Sequence, residues 1–426
     1  MKRTACMMAI AALISPGPAP PAEAIENGGP LTLGKALELA IERSPELGAL
    51  RLEEEAGEAR AFQEGRRPNP EFGVEWENFG GTGTLGGFDS RETTVLLGQT
   101  FELGGKRGRR VRVAEIGREF ASLSRREGTL ALVREVKVRF ADLVAAEERA
   151  RLAGDRLLLA EELREVVAKR LEAGSGSPAE EGNGRVALEA GRIERDRASM
   201  ERERAGRALA ALWGDGEFGF GGALPSGSEG EIPEWARIAP LAAAGPSVGR
   251  ASLETRLRSA EVDVARAGRI PDLRLGGGVR SYSGDGEWAW VAEAAIPLPL
   301  FDRGEGRREE AKARAAAAEE RERTARTRAL SEARDLHDRL VGLRSERLAL
   351  EERLIPEAEQ ALETTRRAFE QGRLPMREVL EARSALFETI ARVIETRAET
   401  SRTLAALEYV LGVSFAEMNA GEEEER

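Results

Sequence analysis

From Gly304 to Gly372 the chain is written almost wholly in Ala, Arg, Glu and Leu, with Pro356 as the single proline. At about 1.5 Å per residue this pattern predicts a helix on the order of 100 Å long, more than a compact domain accommodates. Its apolar positions Leu336, Leu340, Leu343, Leu350 and Leu354 recur near the period of a coiled-coil seam, and Pro356 is expected to kink the rod. Residues Gly108 to Leu171 repeat the design, with Val133, Val136, Phe140 and Leu143 on one stripe. Ahead of each rod the period changes to that of a strand. Phe72, Val74 and Trp76 alternate with Glu71, Gly73, Glu75 and Glu77 in a strand expected from Glu71 to Phe79. Thr93, Val95, Leu97 and Phe101 share a face in Glu92 to Phe101. Further on, Leu273, Leu275 and Val279 alternate with Arg274 and Gly276. Trp288, Trp290, Ala292, Ala294 and Ile296 alternate with Glu287 and Glu293. Gly-rich loops join each pair of strands.

The chain repeats itself. Val167-Ala168-Lys169-Arg170-Leu171-Glu172-Ala173-Gly174 is echoed by Thr365-Arg366-Arg367-Ala368-Phe369-Glu370-Gln371-Gly372. Arg207 to Leu212 is echoed by Arg402 to Leu407, and Gly65-Arg66-Arg67-Pro68 by Gly268-Arg269-Ile270-Pro271, all at an offset of roughly 200 residues. A tandem duplication follows. The first repeat, 25–213, reads as a short helix (Leu33 to Glu64, with Thr32 as N-cap), a hairpin (71–102), a long helix (108–171) and a return helix (179–213). The second, 246–412, reads as a short helix (Ser247 to Ala267), a hairpin (272–297), a long helix (304–371) and a return helix (376–411). The short helices have the length to complete the antiparallel partners of the rods. Residues 214–245, rich in Gly, Pro and Ser, are expected to belt the middle, and 413–426 reads as a flexible tail. Gly182-Asn183-Gly184 weakens the helical pattern where the first return helix should start.

Composition agrees with rods more than with globules: 33% of residues are charged and only 5% aromatic, which suits long solvated helices. The net charge of −11 is spread as alternating Arg and Glu, so no nucleic-acid surface is expected. Lys2 and Arg3, the apolar run Ala5 to Ile14 and the Ala22-Glu23-Ala24 site read as a secretory signal over 1–24. No later run is long enough to span a bilayer as a helix, so any membrane entry must be made by strands. Cys6, the only cysteine, lies inside that signal without a lipoprotein box. His337, the only histidine, sits one position past Leu336 and reads as a partly exposed helix residue. No metal site, cofactor site or catalytic constellation is therefore expected, and an enzyme is excluded. Gly104-Gly105-Lys106-Arg107-Gly108 lacks the spacing of a phosphate loop and reads as the bend where a strand becomes a helix.

In an exported chain, strands that are apolar on one face and carboxylate-bearing on the other fit a transmembrane barrel wall, with Trp76, Tyr282, Trp288 and Trp290 as interface aromatics. Four strands cannot close a barrel, so several copies must share one in a symmetric oligomer. A soluble periplasmic coiled-coil scaffold would explain the rods but not the Trp-bearing hairpins. Basic residues Lys106, Arg107, Arg109, Arg110, Arg303, Arg307 and Arg308 would lie at the membrane edge, against anionic head groups or solvent. The helix-to-helix turns are marked by Gly174, Ser177 and Pro178, and by Gly372, Leu374 and Pro375. Around them, Arg170, Glu172, Glu180 and Glu181 are placed to pair with Arg366, Arg367, Glu370, Arg373 and Glu378 as a latch or charge filter at a tube end.

Several motifs together resemble the TolC-like outer-membrane efflux factor family over nearly the whole mature length: Arg67-Pro68-Asn69-Pro70-Glu71, Gly98-Gln99-Thr100-Phe101-Glu102-Leu103-Gly104-Gly105-Lys106-Arg107, Ile296-Pro297-Leu298-Pro299-Leu300-Phe301-Asp302-Arg303-Gly304 and Leu354-Ile355-Pro356-Glu357-Ala358. The Glu-Leu-Gly-Gly-Lys-Arg run resembles the branch associated with heavy-metal efflux (cobalt, zinc, cadmium, copper or silver). The resemblance implies a mainly α fold with a membrane β-barrel portion, built as a homotrimer with a shared twelve-stranded barrel and a helical periplasmic tunnel. It also implies outer-membrane lipid around the barrel, a periplasmic adaptor docked at the helix-turn tips, and an inner-membrane pump of the resistance-nodulation-division (RND) class. Function is expected to be that of a passive exit duct for heavy-metal cations, with a multidrug or type I secretion duct of the same fold as the alternative.

Overall fold

The computed structural model describes residues 29–174, 176–216, 219–224 and 231–415. The expected signal, residues 217–218 and 225–230 of the expected belt and 416–426 of the expected tail lie outside the described residues.

Helix α1 (Leu33–Arg43) starts at Thr32, whose hydroxyl accepts from the Lys35 amide at 3.3 Å. It stops where Ser44 turns extended before Pro45, which opens α2 (Pro45–Glu64). The single helix expected from Leu33 to Glu64 is thus two, because a residue preceding proline is driven out of the helical region. Strand β1 (Glu71–Glu77) ends short of Phe79, since Asn78 takes a positive φ of 54°. Then come β2 (Glu92–Phe101), the rod α3 (Lys106–Glu172) and the return helix α4 (Pro178–Ala210). Gly182 and Gly184 do not break α4. Ser177 and Glu180 form a capping box, Pro178 pre-sets the first turn, and Gly184 is buried where α4 faces Arg164 of α3.

The second half holds α5 (Trp235–Ala243), α6 (Pro246–Ala267), β3 (Leu273–Tyr282), β4 (Trp288–Ala295), α7 (Glu305–Ala349), α8 (Ile355–Glu370) and α9 (Met376–Leu411). The second rod is not one helix. A π turn over Leu350–Leu354 separates α7 from α8 just before Pro356, where the ring lacks a donor and crowds the carbonyl of the preceding turn. Beyond it the seam rotates: Leu340 and Leu350 are buried, whereas Leu354 is half exposed.

Against α3, α2 covers the first half and α4 the second. Against the second rod, α6 covers α7, and α9 runs along the later part of α7 and α8. The two halves join through α3, which touches both α6 and α9. At mid-length two apolar cores hold the belt. One gathers Leu31, Leu39, Phe140, Leu143, Trp213 and Phe220; the other gathers Ile238, Leu340, Leu407, Leu411 and Phe415.

Candidate channel wall and helical tips

Among the described residues the strands make one antiparallel sheet in the order β1-β2-β3-β4. Its register separates the side chains by chemistry. One face carries the rows Phe72, Leu97, Gly277 and Ala292, then Val74, Val95, Val279 and Trp290, then Trp76, Thr93, Ser281 and Trp288. The other carries Glu71, Glu293, Arg274, Arg280, Glu77 and Glu92. There Arg274 pairs with Glu71 at 2.9 Å, and Arg280 pairs with Glu77 and Glu92, each at 2.9 Å. The apolar face is uncovered: Leu97 is 58% and Trp290 77% exposed. Strands β1 and β4 each have one free edge. A long uncovered apolar sheet with two open edges is a surface built to be covered.

Trp76, Trp288 and Trp290 share that face at the loop end, with Trp288 and Trp290 edge-to-face at 5.7 Å. Tyr282 does not join them. It pairs with Glu92 in the charged-face register and is half-buried.

The helix hairpins end side by side, at the end of the rods away from the sheet. Gly174 (φ 73°) donates to the Leu171 carbonyl at 3.0 Å. At the other tip, Gly372 (φ 74°) donates to Phe369 and Arg373 donates to Ala368, both at 2.9 Å, a Schellman closure with Leu374 and Pro375 following. Ser177 and Pro178 open α4, and Gly176 packs tightly on the Leu171 backbone. A shared core locks the tips together: Leu163, Val167, Met376, Val379 and the fully buried Phe369. Arg170 crosses from one tip to the other, donating to the Phe369 carbonyl at 2.6 Å and stacking on its ring at 4.6 Å. Other charges of the expected latch pair along their own helices, Arg366 with Glu370 and Arg367 with Glu363. Such i,i+4 partners are reached without ordering a second helix. Glu172 and Arg373 are exposed and Glu181 is half-buried.

Midway along the rods, Arg402 on α9 meets Asp142 of α3 at 2.7 Å and Glu395 and Glu399 of its own helix at 2.9 and 3.1 Å. Burial works against its charge, but the hydrogen bonds to Glu395 and Asp142 outweigh it and raise the guanidinium pKa. The hydrogen bond from Arg402, opposed by partial burial, holds the Glu395 carboxyl below its ordinary value. A depressed carboxylate stabilises the fold above its unfolded pKa of about 4.3 and loses that contribution as pH falls through the folded value. Arg402→Gln is expected to cost roughly 2 kcal/mol at neutral pH, the scale of hydrogen bonds to charged groups. It should also flatten the loss of stability between about pH 5 and pH 3, measured by thermal unfolding at a series of pH values.

Two residues that position the belt escape sequence reasoning. His337 is buried, not partly exposed: it lies in the seam between Ala333 and Leu340, with Nε2 3.1 Å from the Pro233 carbonyl and its ring 6.0 Å from Trp235. Its i+4 spacing from Ala333 is the signal that could have placed it there. Glu147, buried on α3, accepts the Ala223 amide with both oxygens at 3.1 and 3.0 Å. No local pattern announces that contact. Among the described residues no group of three or more His, Cys, Asp or Glu is arranged to hold a metal ion, and no helix is long and apolar enough to cross a membrane.

A one-sided apolar sheet on top of long paired helices defines the protomer of an outer-membrane channel with a helical stem. The chain belongs to the outer membrane efflux protein family, whose sequence model matches residues 36–215 and 240–413, one segment in each half. It is 31% identical over 402 residues to the cobalt-zinc-cadmium resistance protein CzcC of Cupriavidus metallidurans, covering 91% of each chain. It is 30% identical over 235 residues to the nickel-cobalt-cadmium resistance protein NccC of Alcaligenes xylosoxydans xylosoxydans, covering 55% of this chain and 52% of that one. Among solved structures, a membrane protein from Pseudomonas aeruginosa superposes with a TM-score of 0.78 at 20% identity, covering 90% of this chain and 91% of that one. The outer membrane protein VceC of Vibrio cholerae superposes at 0.75 and 20% identity, covering 90% of this chain and 96% of that one.

Proposed function

We propose that three copies of this chain close one barrel, pairing the free edge of β4 with β1 of the next copy, and form a passive exit duct for heavy-metal cations. The observation that carries this is the sheet: an uncovered apolar face, a charged opposite face and two unpaired edges. A barrel is the sheet geometry that leaves no edge in a membrane. Four strands per copy reach a closable number only by sharing. The faces that α4 and α7 turn away from their own chain support the same closure. Val186, Ile193 and Met200 lie exposed at heptad spacing on α4, and Val341 and Leu348 on α7.

Heavy-metal cargo is favoured by the near full-length similarity to a cobalt-zinc-cadmium resistance protein. Cargo passes as solute along the duct, and energy is supplied by an RND-class inner-membrane pump. A periplasmic adaptor docks at the tips, around Gly174, Ser177, Pro178, Gly372, Leu374 and Pro375. Loss of this protein, with its pump and adaptor present, is expected to lower growth tolerance to cobalt, zinc or cadmium. Unchanged tolerance to all three would count against the metal cargo.

Arg170, Glu172, Glu181, Arg367 and Arg373 form the gate at the tip, repeated by symmetry around the tube. Arg367→Glu or Glu181→Arg is expected to increase ion conductance of the reconstituted channel severalfold. Conductance equal to wild type in both would remove the gate.

A further inference from the structure

All four strands meet their helices at one end of the sheet, and each of the four junctions carries an arginine with no hydrogen-bond, ion-pair or ring partner among the described residues. These are Arg67 between α2 and β1, Arg107 at the start of α3, Arg269 between α6 and β3, and Arg303 between β4 and α7, and it is their side chains that lack partners, since the Arg269 amide itself donates to the Arg266 carbonyl. Arg67, Arg269 and Arg303 are exposed and Arg107 is half-buried. Four neighbouring cations are already paired with carboxylates within the chain. Lys106 pairs with Asp272 at 2.7 Å, Arg110 with Glu64 at 3.1 Å and with Glu102, Arg307 with Asp302 at 2.9 Å, and Arg308 with Glu309 at 3.4 Å. Arg109 is turned onto the Gly104 carbonyl. Glu305 is the counterweight at this level, so an excess of positive charge remains.

Apolar side chains at the same level are equally uncovered: Phe72, Phe101, Ile270, Leu298, Leu300 and the 100% exposed Phe301. A cation beside an exposed apolar surface complements an anionic amphiphile, with phosphate on the guanidinium and acyl chain on the ring or leucine. A second copy of this chain could cover only the outer junctions, those of β1 and β4. Arg107 and Arg269 sit at the inner strands, out of reach of such an interface.

We infer that the four junction arginines form a girdle that binds anionic phospholipid head groups of the periplasmic leaflet and fixes the depth of the barrel in the membrane. The inference rests on the membrane-channel reading above. Each cation near an anionic surface contributes about a fivefold change in binding. Arginine suits the site because its planar fork grips a phosphate through two donors.

The test uses the full-length oligomer purified in detergent, offered equal amounts of phosphatidylglycerol and phosphatidylethanolamine, with bound lipid counted by native mass spectrometry. Wild type is expected to retain phosphatidylglycerol at least about fivefold over phosphatidylethanolamine. The variant Arg67→Gln/Arg107→Gln/Arg269→Gln/Arg303→Gln should lose that preference. The same four positions changed to Lys should keep most of it. A charge-matched control, Arg185→Gln/Arg326→Gln/Arg328→Gln/Arg353→Gln, places the same loss on exposed helix positions and should bind as wild type. Equal retention by the junction Gln variant and wild type, or no preference in wild type, overturns the inference. Displacement of the lipid by excess inorganic phosphate would reassign the site to free phosphate and also overturn it. A chain that stays in water without detergent sinks the membrane reading itself, a result distinct from a membrane-inserted oligomer with no lipid preference.

Discussion

Gly278→Val is expected to uncouple the two halves of the sheet. Gly278 pairs with Leu96 across the β2–β3 seam, the contact that joins the hairpin of one repeat to that of the other. A Cβ there would be driven into the Val95 carbonyl oxygen and come 3.0 Å from the Leu96 Cα. Both obstacles are backbone, so no rotamer change relieves them, and the seam must open or shift. The expected cost is at least about 3 kcal/mol per copy, the upper range for overpacking. Gly277→Val is the comparison. It is one residue away on the opposite face, where a Cβ meets open space, and it adds a β-favouring side chain. Thermal unfolding and the yield of assembled protein from the outer membrane should separate the two. Equal behaviour would mean that the β2–β3 pairing is not what holds the halves together.

The large features of this molecule were legible because they rest on period and punctuation. The switch from helical to strand spacing marked both hairpins, and the Gly and Pro of the two turns marked both tips. The echo between the halves carried the duplication. Most of what stayed hidden depends on contacts between distant segments, with one local exception. The break at Ser44 was written locally, in a Ser-Pro step, yet the apolar pattern of the flanking helices masked it. Tyr282 looked like an interface aromatic by type, and only the register with Glu92 places it on the charged face. The latch charges read as cross-tip pairs, but a carboxylate one turn away wins because less side-chain freedom is lost in meeting it. Seven basic residues looked alike near the strand ends. The fold pairs four of them with carboxylates, turns Arg109 onto a carbonyl, leaves Arg107 and Arg303, and adds Arg67 and Arg269 from the opposite junctions.

Leu97→Arg bears on what covers the sheet. Leu97 sits in the middle of β2 on the apolar face, between Phe72 and Gly277 in its row. In water, an exposed leucine changed to arginine alters stability by only about 0.5 kcal/mol in either direction. At the middle of a bilayer the same change costs about 2–4 kcal/mol, and a symmetric oligomer suffers it in every copy. The variant is therefore expected to lose most of its assembled, detergent-extracted oligomer and to accumulate as unassembled chain in the periplasm. Gly73→Arg supplies the contrast, since Gly73 belongs to the adjacent row on the charged face and a side chain there enters open space. That variant should assemble at close to the wild-type level, its charge facing the lumen. Should Leu97→Arg assemble as well as Gly73→Arg, the tryptophan-bearing face would be meeting water or protein and not lipid. The paired helices would then belong to a soluble scaffold, because a chain with no membrane wall has no path through which to export anything.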